Sequence, residues 1–429
     1  MYIRTNQKKI FDYIYLILGT AWLLLMMAVP RAYTSIKMGL LAVLCGVSFL
    51  ECLYRRTRVR TVYYAATIGF IGYFLLSLCY GILSGYKFES VDNALINYYF
   101  VTPIVSLFLG MIFEKESRWG YVDSFLIYGG TAIVVLNIGA ILANFGVIPK
   151  FAIFNLMYVS SAVIKSNELS LRMSNEPALI FILPYMITML YKAKELKKRK
   201  RFCLYLGVIA GCSYAIISGR KTLEILIAGA FLVLAARTMR KCSAQTAVKS
   251  IFAVIIGGTV LYGVMDYISK KLGIDNIFQT AINTIFYGLS SNAVGVKQRN
   301  GNMGALLNGW LDNLHTVFIG HGLNSYVETS LANKTTMWSY EVYYHALLYQ
   351  CGIIGLGILV FALWSFVKPL WKRAALEYDN ICFSYIVAIL AFVVAGGTNP
   401  MLYYAWFWTF LWGAKIHYDN EKNKIAEFQ

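Results

Sequence analysis

The 429-residue chain is 59% hydrophobic and only 14% charged, with a mean hydropathy of +0.59, a balance that no soluble domain of this length hides behind a polar surface. Its formal charge of +18 does not indicate nucleic acid, because the basic residues cluster between apolar runs, where membrane topology puts them. The class implied is an all-α polytopic membrane protein, one membrane domain over residues 1–429 with the lipid bilayer as its partner.

A helical span needs roughly 20 apolar residues. Reading apolar runs against charged breaks predicts about twelve spans, near 10–29, 34–54, 61–84, 93–113, 120–145, 176–193, 201–217, 220–236, 248–267, 341–366, 380–395 and 399–416. The first run is long and ends without a small-residue cleavage site, so it is expected to remain as a span. With the N-terminus inside, the inward segments and their span edges hold 26 of the 39 lysines and arginines. Arg55-Arg56-Thr57-Arg58-Val59-Arg60 and Lys192 to Arg201 are the strongest anchors, and both termini are expected to be cytoplasmic. The eight cysteines fall in spans or inward loops and read as small apolar packers rather than disulfide partners.

Two outward segments are long. In 146–175, the apolar piece Phe151 to Ile164 is too short to span and reads as an interfacial or re-entrant helix. In 268–340, apolar residues at helical spacing (Ile274, Ile277, Phe278, Ile282, Ile285, Phe286) precede Gly/Asn-rich sequence, which predicts short amphipathic helices on the outer membrane surface.

Four outward clusters carry chemistry. Ser218-Gly219-Arg220-Lys221-Thr222 is a tight break between spans. An arginine at bilayer centre costs about 2.5–3.5 kcal/mol, so Arg220 needs an anion or a wet cavity unless it snorkels from a helix end. Just before span six stands Leu171-Arg172-Met173-Ser174-Asn175-Glu176-Pro177, a good helix start, in which Arg172 either pairs with Glu176 or adds a second outward cation. Lys297-Gln298-Arg299-Asn300-Gly301-Asn302 is a basic patch, read either as solvated loop charge or as part of a phosphate site. Three arginines, Arg172, Arg220 and Arg299, suit a pyrophosphate because each planar fork binds phosphate oxygens bidentately.

The fourth cluster runs from Gly320-His321-Gly322-Leu323-Asn324-Ser325-Tyr326 to Glu341-Val342-Tyr343-Tyr344-His345, with Gly352 and Gly355 beyond. Glu341 and His345 share a helix face one turn apart and form a candidate acid/base pair, against the plainer reading of a helix cap and a core histidine. His315 and His321 lack metal-ligand spacing. Trp310, Tyr326, Trp338, Tyr340, Tyr343 and Tyr344 suit either sugar stacking or an interfacial aromatic belt.

Over residues 172–356 the sequence resembles the O-antigen ligase and O-antigen polymerase superfamily. Ser218-Gly219-Arg220 is similar to the family's "SR" turn with a glycine inserted, Arg299 to its loop cation, and Gly320-His321-Gly322 to its "GxG" turn. Gly352 and Gly355 match the two helix glycines that follow, and counting back from them puts Glu341 where the ligases carry a histidine. That departure tilts the resemblance toward the polymerase branch. It implies a GT-C-like membrane glycosyltransferase at the outer face of the bacterial cytoplasmic membrane, joining polyprenyl-pyrophosphate-linked oligosaccharide repeats into O-antigen, capsule or exopolysaccharide. Arg220, Arg299 and Arg172 would hold the pyrophosphate, Glu341 or His345 would act on the acceptor hydroxyl, and His321, Asn324 and Tyr344 would contact sugar or lipid. Transfer would be inverting, with no metal and no cofactor, and a chain-length regulator and a flippase would be partners. A ligase and a twelve-span transporter or flippase of lipid-linked sugars are the competing readings, the transporter opposed by the long outward loop and the absence of matching halves.

Overall fold

The apolar runs fold as helices of the lengths a bilayer requires. The computed structural model describes residues 2–55, 61–89, 93–112, 116–144, 146–157, 163–165, 168–170, 173–218, 220–239, 262–263, 266–267, 270, 294–327, 338–376 and 379–427. The first half comprises α1 (Tyr2–Ala28), α2 (Thr34–Arg55), α3 (Thr61–Leu83), α4 (Asn93–Ile96), which passes through a π-turn (Asn97–Val101) into α5 (Thr102–Ile112), α6 (Glu116–Asn144) and the single turn α7 (Ala152–Asn155). A two-stranded antiparallel hairpin, β1 (Val163–Lys165) with β2 (Glu168–Ser170), precedes α8 (Glu176–Met189), which tightens into a 3-10 helix over Leu190–Glu195. Then follow α9 (Lys198–Ser218), α10 (Lys221–Met239), α11 (Val294–Trp310), α12 (Leu314–Ile319), α13 (Tyr343–Leu376), α14 (Asn380–Gly396) and α15 (Ala405–Glu427). Among the described residues eight stretches are long and apolar enough to cross a membrane, and α14 is apolar but shorter.

Several expectations change. Of the piece Phe151 to Ile164, the described residues form one helical turn at Ala152–Asn155 and the start of β1 at Val163 and Ile164, whose β-branched side chains favour the extended pairing. The sixth run is a 14-residue α-helix completed by 3-10 turns. The ninth run (248–267) is mostly outside the described residues, as are Ile274 to Phe286. The Gly/Asn-rich part of the long loop forms α11 and α12.

Helix α8 is the centre. Every residue from Ala178 to Met189 is buried, as expected of a segment apolar on all sides. It packs among α6, α9, α10 and α14, and Phe181 stacks on Phe410 with ring centroids 5.6 Å apart. Peripheral helices such as α2 present Ile36, Val43, Phe49 and Leu50 outward instead, to lipid.

Helix α13 is broken near its start. Gly352 has φ +63°, and a β-carbon there would meet the backbone of Phe318 at 2.2 Å, so only glycine fits. The break frees the carbonyls of Tyr349, Gln350 and Cys351 from their helical partners. Each is satisfied from elsewhere: by His321 N at 2.9 Å, Gly322 N at 2.8 Å and the Tyr73 hydroxyl at 2.6 Å. Gly322 in turn lies against Gly81 of α3, where a β-carbon on either residue would collide. The Gly320-His321-Gly322 turn therefore locks α3 to the broken helix.

Short connections make successive long helices antiparallel, so alternate loops collect at one end of the bundle. Side-chain contacts hold them there: Asn324 Nδ2 donates to Tyr86 O at 3.0 Å, and the Tyr344 hydroxyl donates to Val393 O at 2.5 Å. At the opposite end Asp123 accepts from the hydroxyls of Tyr385 (2.9 Å) and Tyr185 (3.1 Å), and Arg237 donates to Asn380 Oδ1 at 2.8 Å.

Candidate functional site

At the start of α8, Asn175 and Asn137 exchange amide hydrogen bonds of 2.8 and 3.1 Å, both side chains buried. This reciprocal pair pins the N-terminus of α8 to α6, and Pro177 follows in the first turn. Glu176 is thereby fixed, its Oε1 accepting from Met173 N at 3.2 Å and from Arg220 Nε at 2.6 Å. Arg220 precedes α10, and both side chains are mostly buried, 26% exposed for Arg220 and 18% for Glu176. Tyr404, before α15, lies within electrostatic reach of both Glu176 and Arg31, which brings a further cation to this end of the bundle.

A second pair lies at the same loop-bearing end of the bundle. Arg299 on α11 donates from Nε to Glu341 Oε2 at 3.0 Å, just ahead of α13. This pair is open to solvent, 40% and 58% exposed. Tyrosines pack together between Tyr343, two residues after Glu341, and Tyr404, which feels the charge of Glu176. Tyr343 shares a hydroxyl contact of 3.2 Å with Tyr99 and packs edge-on against Tyr403, which stacks on Tyr98 at 4.2 Å and leads directly into Tyr404.

Arg299 and Glu341, drawn from separate motifs, meet; Arg220 meets Glu176 rather than another of the expected site residues. Arg172 lies outside the described residues. His345 occupies the first turn of α13, and its Nδ1 is buried without a hydrogen-bond partner among the described residues. His321 is engaged structurally, Nε2 within 2.9 Å of Gly309 O and its ring stacked 4.4 Å from Tyr349. Asn324 anchors α3 through Tyr86, and Tyr344 anchors α14 through Val393. Trp338, Tyr340 and Tyr343 are buried in packing contacts rather than presented for stacking on a sugar. Tyr340 also ties residues 327 and 340 together, accepting from Val327 N at 2.7 Å, and burial pushes its phenol up to about 12.

One residue outside the sequence-derived set stands out. Glu224, one turn beyond Arg220 on α10, has both carboxylate oxygens buried and without a hydrogen-bond partner among the described residues. Its signal in the sequence is an acidic residue inside an apolar run, which marks function more often than packing. Glu176 was legible only as a neighbour of Arg172, because the pairing with Arg220 spans 44 positions. Among the six cysteines whose side chains are described no disulfide forms.

The arrangement is suited to binding an anionic group at the loop-bearing end, through arginines currently neutralised by carboxylates. No protein-family model matches the sequence, and no curated protein matches it.

Proposed function

We propose that the chain is a surface-polysaccharide polymerase of the bacterial cytoplasmic membrane, related to the O-antigen ligases and polymerases. It has twelve spans, cytoplasmic termini and an outward-facing segment between spans nine and ten, and it joins polyprenyl-pyrophosphate-linked oligosaccharide repeats. The observation that carries this reading is the meeting of Arg299 and Glu341 at 3.0 Å, which brings together the two residues that the resemblance casts as leaving-group cation and acceptor-side carboxylate. Support also comes from Arg220, held by Glu176 on the same side of the bundle.

In this mechanism an acceptor-sugar hydroxyl attacks the anomeric carbon of the lipid-linked glycan. The bond from that carbon to the pyrophosphate oxygen breaks, and its electron pair leaves with the lipid pyrophosphate, so the anomeric centre inverts. Arg220 and Arg299, with Arg172, neutralise the charge developing on the leaving group. Glu341 or His345 orients the acceptor hydroxyl and takes its proton. The carboxylates of Glu176 and Glu341 hold the two arginines in place until the pyrophosphate displaces them.

A second reading, a flippase for the same lipid-linked sugar, draws on the buried Asp123, which two tyrosine hydroxyls hold at the opposite end of the bundle within electrostatic reach of Lys200. A transport pathway places charged groups in both leaflets. The test is to incubate purified protein with synthetic lipid-linked repeats and read products on a gel, with Arg220→Ala alongside. A ladder lost in the variant supports polymerisation. Folded protein that makes no ladder but moves the lipid across vesicles supports the flippase.

A further inference from the structure

The connection between α1 and α2 gathers positive charge. It runs Val29-Pro30-Arg31-Ala32-Tyr33, and Tyr33 takes φ +57°, a conformation that costs energy for a bulky side chain. Across that kink Lys37, in the first turn of α2, reaches back to the Val29 carbonyl with Nζ at 2.5 Å. The lysine is only 5% exposed, whereas Arg31, in the turn itself, stands in solvent.

Neither cation forms an ion pair among the described residues. A single carbonyl does not balance a buried ammonium, and the helix adds to the charge instead of opposing it. The first amides of a helix lack an intrahelical acceptor, and its aligned peptide dipoles leave that end positive. Helix α2 has no acidic residue in its first turn, so Lys37 has the wrong sign for the helix end on which it sits. A buried cation, a positive helix end and a strained tyrosine thus meet at one connection, and an anion bound there satisfies the first two together.

The turn lies at the end of the bundle that carries Glu176 and Arg220. Tyr404 is within electrostatic reach of both Arg31 and Glu176, and α1 packs against α8 and α15. Arg220 and Arg299 already have carboxylates, whereas Arg31 and Lys37 have none among the described residues. We infer that the α1–α2 turn binds the pyrophosphate of a lipid-linked sugar, with Lys37 and the first amides of α2 on one phosphate and Arg31 on the other. This rests on the substrate class proposed above. Two cations and a positive helix end match the paired charges of a pyrophosphate between lipid and sugar better than the single charge of a phospholipid phosphodiester. An anion arriving here displaces no carboxylate, so the turn takes the head group before Glu176 and Glu341 give up their arginines.

The test uses the full chain in detergent, stripped of lipid and titrated with farnesyl pyrophosphate, farnesyl monophosphate or phosphatidylglycerol while Tm is followed. Farnesyl pyrophosphate is expected to raise Tm saturably, since a ligand of the folded state stabilises it by mass action, and the other two to need about tenfold higher concentration. Arg31→Glu, in an exposed turn, keeps the fold and weakens pyrophosphate binding by about tenfold or more. Lys150→Gln, which removes another exposed cation outside the turn, leaves the affinity unchanged. Lys37→Met takes away the buried charge; the ligand-free protein is expected to gain Tm and to lose its response to pyrophosphate. If Lys37→Met does not fold, Arg31→Glu decides the matter. Unchanged affinity in Arg31→Glu, an equal loss in Lys150→Gln, or phosphatidylglycerol bound as tightly as the pyrophosphate overturns the assignment. Failure of the polymerase reading looks different: pyrophosphate binds and is lost in Arg31→Glu, yet the protein makes no ladder from lipid-linked repeats, an outcome that supports the turn as the site.

Discussion

Glu176 at the first turn of α8 and Arg220 ahead of α10 are joined by a 2.6 Å contact between Oε1 and Nε, across 44 positions of sequence. A buried α8 holds the carboxylate, so the guanidinium is presented in a fixed place. Arg220→Ala is expected to reduce polymer formation about 100- to 1,000-fold, the scale of losing one preorganised charge-stabilising donor. Lys221→Ala, beside it, is expected to leave the ladder intact. A ladder of normal length and yield from folded Arg220→Ala protein removes Arg220 from the site.

Breaking the pair from the other side exposes its structural share. Glu176→Ala leaves a mostly buried guanidinium and the Met173 amide without this acceptor, a loss of about 1–3 kcal/mol. Thermal unfolding in detergent reads it as a lower Tm; an unchanged Tm means the arginine finds another anion.

The pair Arg299–Glu341 behaves differently because it is exposed. Removing it is expected to shift stability by less than about 1 kcal/mol. Under the proposed chemistry Glu341→Gln nevertheless lowers turnover about 100-fold, the lower end of what a positioned base contributes. Full turnover in that variant transfers the role to His345, and His345→Ala then carries the loss.

The amide exchange between Asn137 and Asn175 is a coupled unit. Either single alanine substitution strands its partner in a buried site and costs about 1–3 kcal/mol. The double variant is expected to cost less than the two singles together, a coupling that a double-mutant cycle measures by denaturation. Strict additivity refutes the exchange.

Glu224 has two buried oxygens and no hydrogen bond among the described residues, so an apolar side chain there relieves desolvation. Glu224→Leu is expected to raise Tm. If activity falls in the same variant, the carboxyl is retained for function; if activity is untouched, it is not part of the reaction.

Helices were legible where composition alone decides. The apolar runs at 34–54, 120–145 and 201–217 reappear within a few residues as α2, α6 and α9, because a bilayer accepts little else. Phe151 to Ile164 misled, since hydrophobicity without β-propensity cannot tell a short helix from a turn and a hairpin. At the site, the arginines were legible from charge in the wrong solvent, whereas their partners depend on which loops meet. Gly320-His321-Gly322 was legible as a motif, but not the packing it makes: its glycines allow the close approach to Gly81 and the hydrogen bonds to carbonyls freed at Gly352, and His321 takes part in the same junction.

Burial of α8 on every side has a further effect. Bilayers differ in thickness, and a helix that touches lipid answers by tilting or stretching its surroundings. Here that adjustment falls on rim helices such as α2, whose outward faces meet the acyl chains, while α8 meets only protein. The height of Glu176, and with it the seat of Arg220, is set inside the protein, by the packing of α8 and by the amide exchange between Asn137 and Asn175. The centre of this molecule is thus a fixed post within a compliant collar, and its geometry should pass unchanged between host membranes of unequal depth.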